Sequence, residues 1–265
     1  MKTVILLTGC INPDGMAYTA LNNTEERKEQ YVNAIRFYLN KTNYPVVFAE
    51  NSGTDISILF QDFIDSGRFE CLSYMGNQNK EKGKGYGEAE IIEFAINNSR
   101  LIDEKSIIAK ITGRLIINNI NRIIKPLKKN TDFVSCQFHY DLKFADSRLV
   151  CATTAFYFHF LKHKEQINDS IGVYFEHILS LSVLNSNLRY IPFSEEPLFI
   201  GKSGTTGTTY QPSARSIKNT LLYKCYSISQ LIRINKISSY KNCDKYETLT
   251  NRLKLYIYKI ILFVF

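Results

Sequence analysis

The chain has 265 residues, 45% of them hydrophobic and 22% charged, which is enough for one sizeable core and excludes a disordered or collagen-like polypeptide. The formal net charge of +8 sits entirely in residues 215–265, where ten Lys and Arg stand against two acids; the neutral remainder argues against a nucleic-acid-binding surface. Six scattered cysteines without a Cys-x-x-Cys pair, and an opening apolar run too short for a leader or a membrane span, predict a cytoplasmic chain with reduced thiols.

In chain order, Lys2–Thr8 reads as a strand and Thr24–Asn40 as an amphipathic helix capped by Thr24, with Glu25 and Glu26 in its first turn. Strands at Tyr44–Ala49 and Phe69–Tyr74 flank a helix from Asp55 to Asp65, and a further helix, Tyr86–Asn98, precedes a fourth strand at Ser106–Ile111. This alternation predicts an α/β fold: a mainly parallel, Rossmann-like sheet with helices on its faces. The second half is less regular, with a strand at Thr131–Gln137, helices at Cys151–Lys162 and Ile171–Asn185, a short strand at Leu188–Pro192 and a loop over 201–213.

In an open α/β sheet, ligands gather at the carboxyl ends of the strands. The fourth strand ends there in Lys110, Thr112, Gly113 and Arg114, two cations around a glycine that lets a ligand approach the backbone, a pattern suited to a diphosphate. Three more segments fall at the same edge: Thr8-Gly9-Cys10, Glu50-Asn51-Ser52-Gly53, and the stretch Lys82 to Gly87, which contains Lys84, Gly85, Tyr86 and Gly87. A Walker pattern and a Gly-x-Ser-x-Gly elbow are both absent, and the four histidines lack metal-site spacing, which withdraws support from P-loop phosphoryl transfer, serine hydrolysis and a zinc centre.

These segments, with Ala145-Asp146-Ser147-Arg148, Val173-Tyr174-Phe175-Glu176 and Gly201 to Gly207, resemble the bacterial glycosyltransferases of capsule and O-antigen loci, which have a GT-A-like nucleotide-sugar-binding domain. The resemblance spans roughly residues 1–212. It implies an enzyme that moves a hexose from a nucleotide-sugar, here a UDP-sugar, to a lipid-linked glycan in capsule, O-antigen or lipopolysaccharide biosynthesis. Many such enzymes hold a divalent metal with an Asp-x-Asp after the fourth strand; this chain has Lys110 and Arg114 there and no Asp-x-Asp, so transfer without a metal cofactor is expected. Asp141 and Asp146 are the alternative metal ligands.

The predicted site therefore places Lys110 and Arg114 on the diphosphate, the Glu50–Gly53 turn on the nucleoside, and Ser203 and Gly204 on a loop that closes over the donor. Glu176, in the first turns of a predicted helix, is the first candidate for the base that takes the acceptor proton; Asp146 is the second, or with Arg148 it binds the donor sugar. A first-turn glutamate that only favours the helix dipole is the plainer reading of Glu176.

The tail is read as a second unit. Residues 1–214 form the GT-A-like domain and 215–265 a basic extension, in which Ile217, Leu221, Cys225, Ile228 and Ile232 recur at helical spacing and Leu253–Phe265 is apolar and aromatic. That extension is expected to lie on an anionic membrane surface, so that the protein is peripheral on the inner face of the cytoplasmic membrane; packing on its own domain is the alternative. The rival functions are a non-catalytic nucleotide- or glycan-binding protein on the same fold and, against the charge distribution, a nucleic-acid-binding module.

Overall fold

The computed structural model describes residues 1–13, 22–76, 78–204, 206–211 and 216–241. The run Leu253–Phe265 lies outside the described residues. Strand β1 (Thr3–Gly9) is buried along its whole length, as expected of a central parallel strand whose two faces both meet helices. Helix α1 (Thr24–Lys41) follows, capped by Asn23 rather than Thr24: the Asn23 side chain accepts the Glu26 backbone N–H at 3.0 Å. Strand β2 (Val46–Glu50) is again wholly buried. The helix expected from Asp55 is a 3-10 turn at Ser57–Phe60 that runs into a short α2 (Gln61–Asp65). Strand β3 (Phe69–Ser73), helix α3 (Lys84–Asn98) and strand β4 (Ile107–Thr112) complete the predicted alternation.

Beyond β4 come β5 (Ile116–Ile117), α4 (Ile120–Leu127), β6 (Phe133–Ser135), β7 (Leu149–Thr153), α5 (Thr154–Leu161), α6 (Phe175–Asn185) and β8 (Arg189–Tyr190). The expected helix Cys151–Lys162 is thus split, because Cys151 to Thr153 belong to β7 and pair antiparallel with β4, Ile107 opposite Thr153. Helix α6 starts at Phe175, four residues later than expected, after a 3-10 turn at Asp169–Ile171. The expected loop 201–213 contains most of a hairpin, β9 (Phe199–Lys202) and β10 (Thr209–Tyr210), which forms a small sheet with β5. Helix α7 (Ile217–Lys241) ends the described chain.

The main sheet has the order β3-β2-β1-β4-β7-β6-β8, parallel from β3 through β4, with β7 antiparallel to both neighbours. One apolar layer packs α1 and α4 on one face, through Tyr31, Ile35, Tyr38, Ile120 and Ile124; the other packs α3, α5 and α6 on the opposite face, through Ile92, Phe156, Phe160 and Leu179. Burying each such side chain contributes roughly 1.5–3 kcal/mol. This is the mixed α/β class with a mainly parallel sheet, flanking helices and a C-terminal helix that the sequence predicts.

Helix α7 lies against α6 and β8, and it docks through a face other than its most apolar one. Ser227, Gln230 and Ile234 are buried, whereas Ile217, Leu221 and Leu222 remain exposed and Cys225, Ile228 and Ile232 half-buried. Gln230 holds both polar groups of the Phe138 backbone, donating to its carbonyl at 2.6 Å and accepting its N–H at 3.3 Å.

Candidate active site

The chain from β1 runs outward to β2 and β3, then returns to β4 on the other side of β1, so the switch point lies between β1 and β4. A crevice at the carboxyl ends of such strands is where an α/β sheet takes ligands. A cavity of about 850 Å³ opens there, a size that suits a ligand as large as a nucleotide-sugar. The backbones after β1 and β4 approach closely: Gly113 N–H donates to the Thr8 carbonyl at 2.9 Å, and a Cβ on Gly113 would stand 2.6 Å from that oxygen. Glycine is therefore required at 113 by contact with backbone, and the residue supports the floor rather than facing the cavity.

Of the residues singled out in the sequence, Thr8, Gly9, Asn51, Thr112 and Arg114 line this cavity from the strand ends. Lys84, Gly85 and Gly87 line it from the start of α3, Asp146 and Arg148 from the segment before β7, Glu176 from α6, and Ser203 and Gly204 from the hairpin. The others stand behind the wall. The Glu50 carboxylate is buried and accepts from Ser52 N–H (2.9 Å), Thr54 N–H (2.7 Å), the Ser73 hydroxyl (3.1 Å) and the Ser52 hydroxyl (2.7 Å), so it shapes the turn in which Gly53 takes a φ of 74°. Among these four turn residues only Asn51 reaches the cavity. Tyr86 points into the α3 layer and donates to Glu165 at 2.9 Å.

Lys110 is set beneath the cavity instead of in it. Strand alternation puts Ala109 and Ile111 in the α1 layer and turns Lys110 towards α3, where it is wholly buried. Its ammonium pairs with Glu88 and donates to the Ser147 carbonyl at 2.7 Å. Glu88, which lines the cavity, also accepts the Thr8 hydroxyl at 3.0 Å. From the other side the Ser147 hydroxyl donates to Glu176 at 2.6 Å. Lys110, Glu88, Ser147 and Glu176 thus form one connected polar group under the crevice. Burial is the main cause that raises the Glu176 pKa above the ordinary carboxyl range; the Ser147 hydroxyl and Lys110 pull it down, and Glu88 pushes it up.

Cations in the cavity come from three elements. Arg114 is buried, donates to Gln30 at 3.1 Å and to the Lys202 carbonyl at 3.3 Å, and its Nε has no hydrogen-bond partner among the described residues. Arg27, buried on α1, donates from Nε to the Cys10 carbonyl at 2.9 Å. Lys84 is half-buried, and its pKa is lowered first by burial and then by Arg114 and Arg27, against the pull of Asp169. Arg27, Lys84 and Arg114 line the same cavity. The sequence motif Gly83–Glu88 includes Glu88 without giving it a role, and Arg27 and Asp169 were missed. The signal for Arg27 was its place on the buried stripe with Tyr31, Ala34, Ile35 and Tyr38, where a charge on the apolar face needs a reason. Asp169 accepts the Gly85 N–H at 3.0 Å through Oδ2, and its buried Oδ1 has no hydrogen-bond partner among the described residues.

Arg148 is clamped by Asp146 in a two-pronged pair, Nε to Oδ1 at 3.0 Å and Nη2 to Oδ2 at 2.6 Å, and its guanidinium lies over Phe199 at 4.2 Å and Tyr210 at 5.1 Å. That stack docks the β9–β10 hairpin onto the cavity. The carboxylates of Glu88, Asp146, Asp169 and Glu176 are each engaged by a separate donor, and no group of three or more His, Cys, Asp or Glu among the described residues converges on a point.

No protein-family profile matches the chain, and no curated protein sequence matches it. Among solved structures it is similar to HddC from Yersinia pseudotuberculosis, with a TM-score of 0.41 and 13% identity over 76% of this chain and 93% of that one. It is also similar to the galactosyltransferase LgtC in complex with donor and acceptor sugar analogs, with a TM-score of 0.41 and 9% identity over 68% of this chain and 70% of that one. A cytidylyltransferase from Leptospira borgpetersenii serovar Hardjo-bovis gives a TM-score of 0.40 and 16% identity over 93% of this chain and 100% of that one. Likeness at this level assigns no residue a role.

Proposed function

We propose that the chain is a glycosyltransferase that moves a hexose from a nucleotide-sugar, a UDP-sugar in the first instance, to a saccharide acceptor. The observation that carries the reading is the convergence of Arg27, Lys84 and Arg114 on the crevice between β1 and β4, with the mostly buried Glu176 carboxyl lining the same cavity. A buried guanidinium nitrogen without an acceptor is costly, by about 1–3 kcal/mol, and a phosphate oxygen would satisfy the Arg114 Nε. The three cations stabilise the charge that builds on the leaving diphosphate, work that a metal does in other sites, so the reaction is proposed to need none.

Glu176 acts as the base. The acceptor hydroxyl gives its proton to the carboxylate as its oxygen forms a bond to the anomeric carbon, and the bond from that carbon to the diphosphate breaks, its electron pair leaving with the nucleoside diphosphate. A single displacement of this kind inverts the anomeric centre. Thr8, Lys110 and Ser147 hold the polar group that sets the carboxylate's position and charge.

The acceptor is proposed to be lipid-linked, in capsule, O-antigen or lipopolysaccharide assembly at the inner face of the cytoplasmic membrane. Exposed Ile217, Leu221 and Leu222 beside Lys218 and Lys224 on α7, and the basic, apolar sequence beyond Lys241, support a surface contact through 215–265. No helix among the described residues is long and apolar enough to cross a membrane. The nucleotide reading is tested by thermal denaturation with UDP, GDP, CDP and dTDP. A ligand at about one hundred times its Kd stabilises by about 2.7 kcal/mol, which raises Tm by several degrees for at least one of them; no shift with any would defeat the reading.

A further inference from the structure

A second feature of the cavity is built from the loop after β6 and the start of α6. Residues 138–145 fold back as a tight loop over the start of α6. Phe138 and Ala145 form a bridge, His139 N–H donates to the Phe144 carbonyl at 2.8 Å, and Ala145 N–H donates to the Glu176 carbonyl at 3.1 Å. This brings four rings into a continuous row. His139 and Phe144 lie 4.7 Å apart between centroids, Phe144 and His177 5.4 Å, and His177 and Tyr174 5.3 Å with their planes nearly parallel. His139, Phe144 and Tyr174 line the cavity that Glu176 also lines, and Tyr174 is 44% exposed.

The row is held from behind. His177 Nδ1 accepts the Tyr174 N–H at 3.1 Å, and Gln230 of α7 grips the Phe138 backbone at the root of the loop. Rings held this way at a cavity wall lose little freedom when a ligand packs on them. A ring face is the negative part of its quadrupole and attracts polarised C–H groups. A pyranose offers such a surface, one face of C–H groups rimmed by hydroxyls, and the Glu176 carboxyl stands in the same helical turn as the platform to meet one of those hydroxyls.

We propose that His139, Phe144 and Tyr174, backed by His177, form the subsite for the acceptor's terminal pyranose, and that stacking there presents a hydroxyl to Glu176. The inference rests on the glycosyl-transfer reading of the cavity. A nucleobase would also stack on such rings. A sugar is favoured because Glu176 stands in the same helical turn as the platform and lines the same cavity, where a stacked pyranose brings a hydroxyl to its carboxyl.

The chain contains no tryptophan, so Tyr174→Trp supplies a single emission probe on the platform itself. The full-length variant is titrated in the millimolar range with the methyl α- and β-glycosides of glucose, galactose and N-acetylglucosamine, and separately with uridine and with UDP. The expected result is a saturable emission change with at least one glycoside, weakened roughly three- to tenfold by adding Phe144→Ala, while the Kd for UDP stays unchanged. His139→Ala, at the outer end of the row, gives a second variant should Phe144→Ala fail to fold. Saturation-transfer NMR of the unaltered protein with the same glycosides provides a readout that does not depend on the tryptophan. No response to any glycoside by either method, with UDP still raising Tm, overturns the subsite alone. A response to uridine in place of the glycosides also overturns it and makes the platform a base site. A response to glycosides with no binding of any nucleotide upholds pyranose stacking on the platform but overturns its role as an acceptor subsite, together with the donor reading.

Discussion

Replacing Lys110 by methionine separates a supporting role from direct contact with the ligand. The side chain is fully buried, pairs with Glu88 and donates to the Ser147 carbonyl at 2.7 Å. Methionine keeps the volume, so no cavity opens; what is lost is the charge. Breaking a buried pair by removing one partner costs about 3–5 kcal/mol, and because Glu88 is 22% exposed and open to water, the lower end, about 3 kcal/mol, applies. In a domain of this size that corresponds to a fall in Tm of roughly 6–12 °C. The double variant Lys110→Met/Glu88→Gln should recover part of the loss, since the carboxylate no longer needs a counter-charge. Circular dichroism melts of the single and double variants, with UDP titrations of each, measure both effects. If Lys110→Met melts within about 2 °C of the parent and yet loses UDP binding, the ammonium reaches the ligand and does not act as an internal support.

Three further outcomes follow from the same geometry. Arg114→Ala should weaken UDP binding about ten- to a hundredfold in calorimetry, the scale of one charge-assisted hydrogen bond, with little effect on a nucleoside that lacks phosphates. The acid limb of the rate profile should lie above the ordinary carboxyl range, because Glu176 must be ionised to act and burial raises its pKa; Ser147→Ala removes a donor that favours the carboxylate and should move the limb to still higher pH. The same raised pKa means that stability falls as pH rises from the ordinary carboxyl range to the folded value of Glu176 and stays lower above it, so Glu176→Gln should raise Tm near neutral pH and lose that advantage as pH falls to the ordinary carboxyl range.

Much of the fold was legible because the first half follows strong periodicity: β1, α1, β2, β3, α3 and β4 each lie within a few residues of their expected bounds. The second half was harder. Cys151 to Thr153 form the end of an antiparallel strand, but in sequence they run without a break into the apolar helix Thr154–Leu161, and a short apolar run fits a strand or a helix alike. The β9–β10 hairpin was hidden by its glycines and threonines, whose pairing depends on β5 and on Arg148 stacking against Phe199 and Tyr210.

The site was legible in which segments meet and less so in which side chains face inward. Thr8, Lys84, Arg114, Asp146 and Glu176 line one cavity: Thr8 and the segment to Arg114 belong to neighbouring strand ends, and the start of α3, the segment before β7 and α6 meet them there. Lys110 and Glu50 were read as ligand contacts, and the fold instead surrounds them with internal partners that only tertiary packing supplies, Glu88 from α3 and Ser73 from β3. Arg27 and Asp169 approach the cavity across long stretches of sequence, a closeness that no local spacing reports. The aromatic row was invisible for the same reason, since two of its rings come from the loop after β6 and two from the start of α6.

Donor turnover by Glu176→Gln tests the central claim most directly. The protein is incubated with UDP-glucose, UDP-galactose and UDP-N-acetylglucosamine and a saccharide acceptor, with and without EDTA, and nucleoside diphosphate release is followed by phosphorus NMR. The unaltered protein should release UDP from at least one donor whether or not EDTA is present. The glutamine variant should bind UDP with the same affinity but release it about 10²- to 10⁴-fold more slowly, the usual scale for loss of a general base. Release by the variant at the parent rate, or activity abolished by EDTA and restored by Mn²⁺, would contradict the claim.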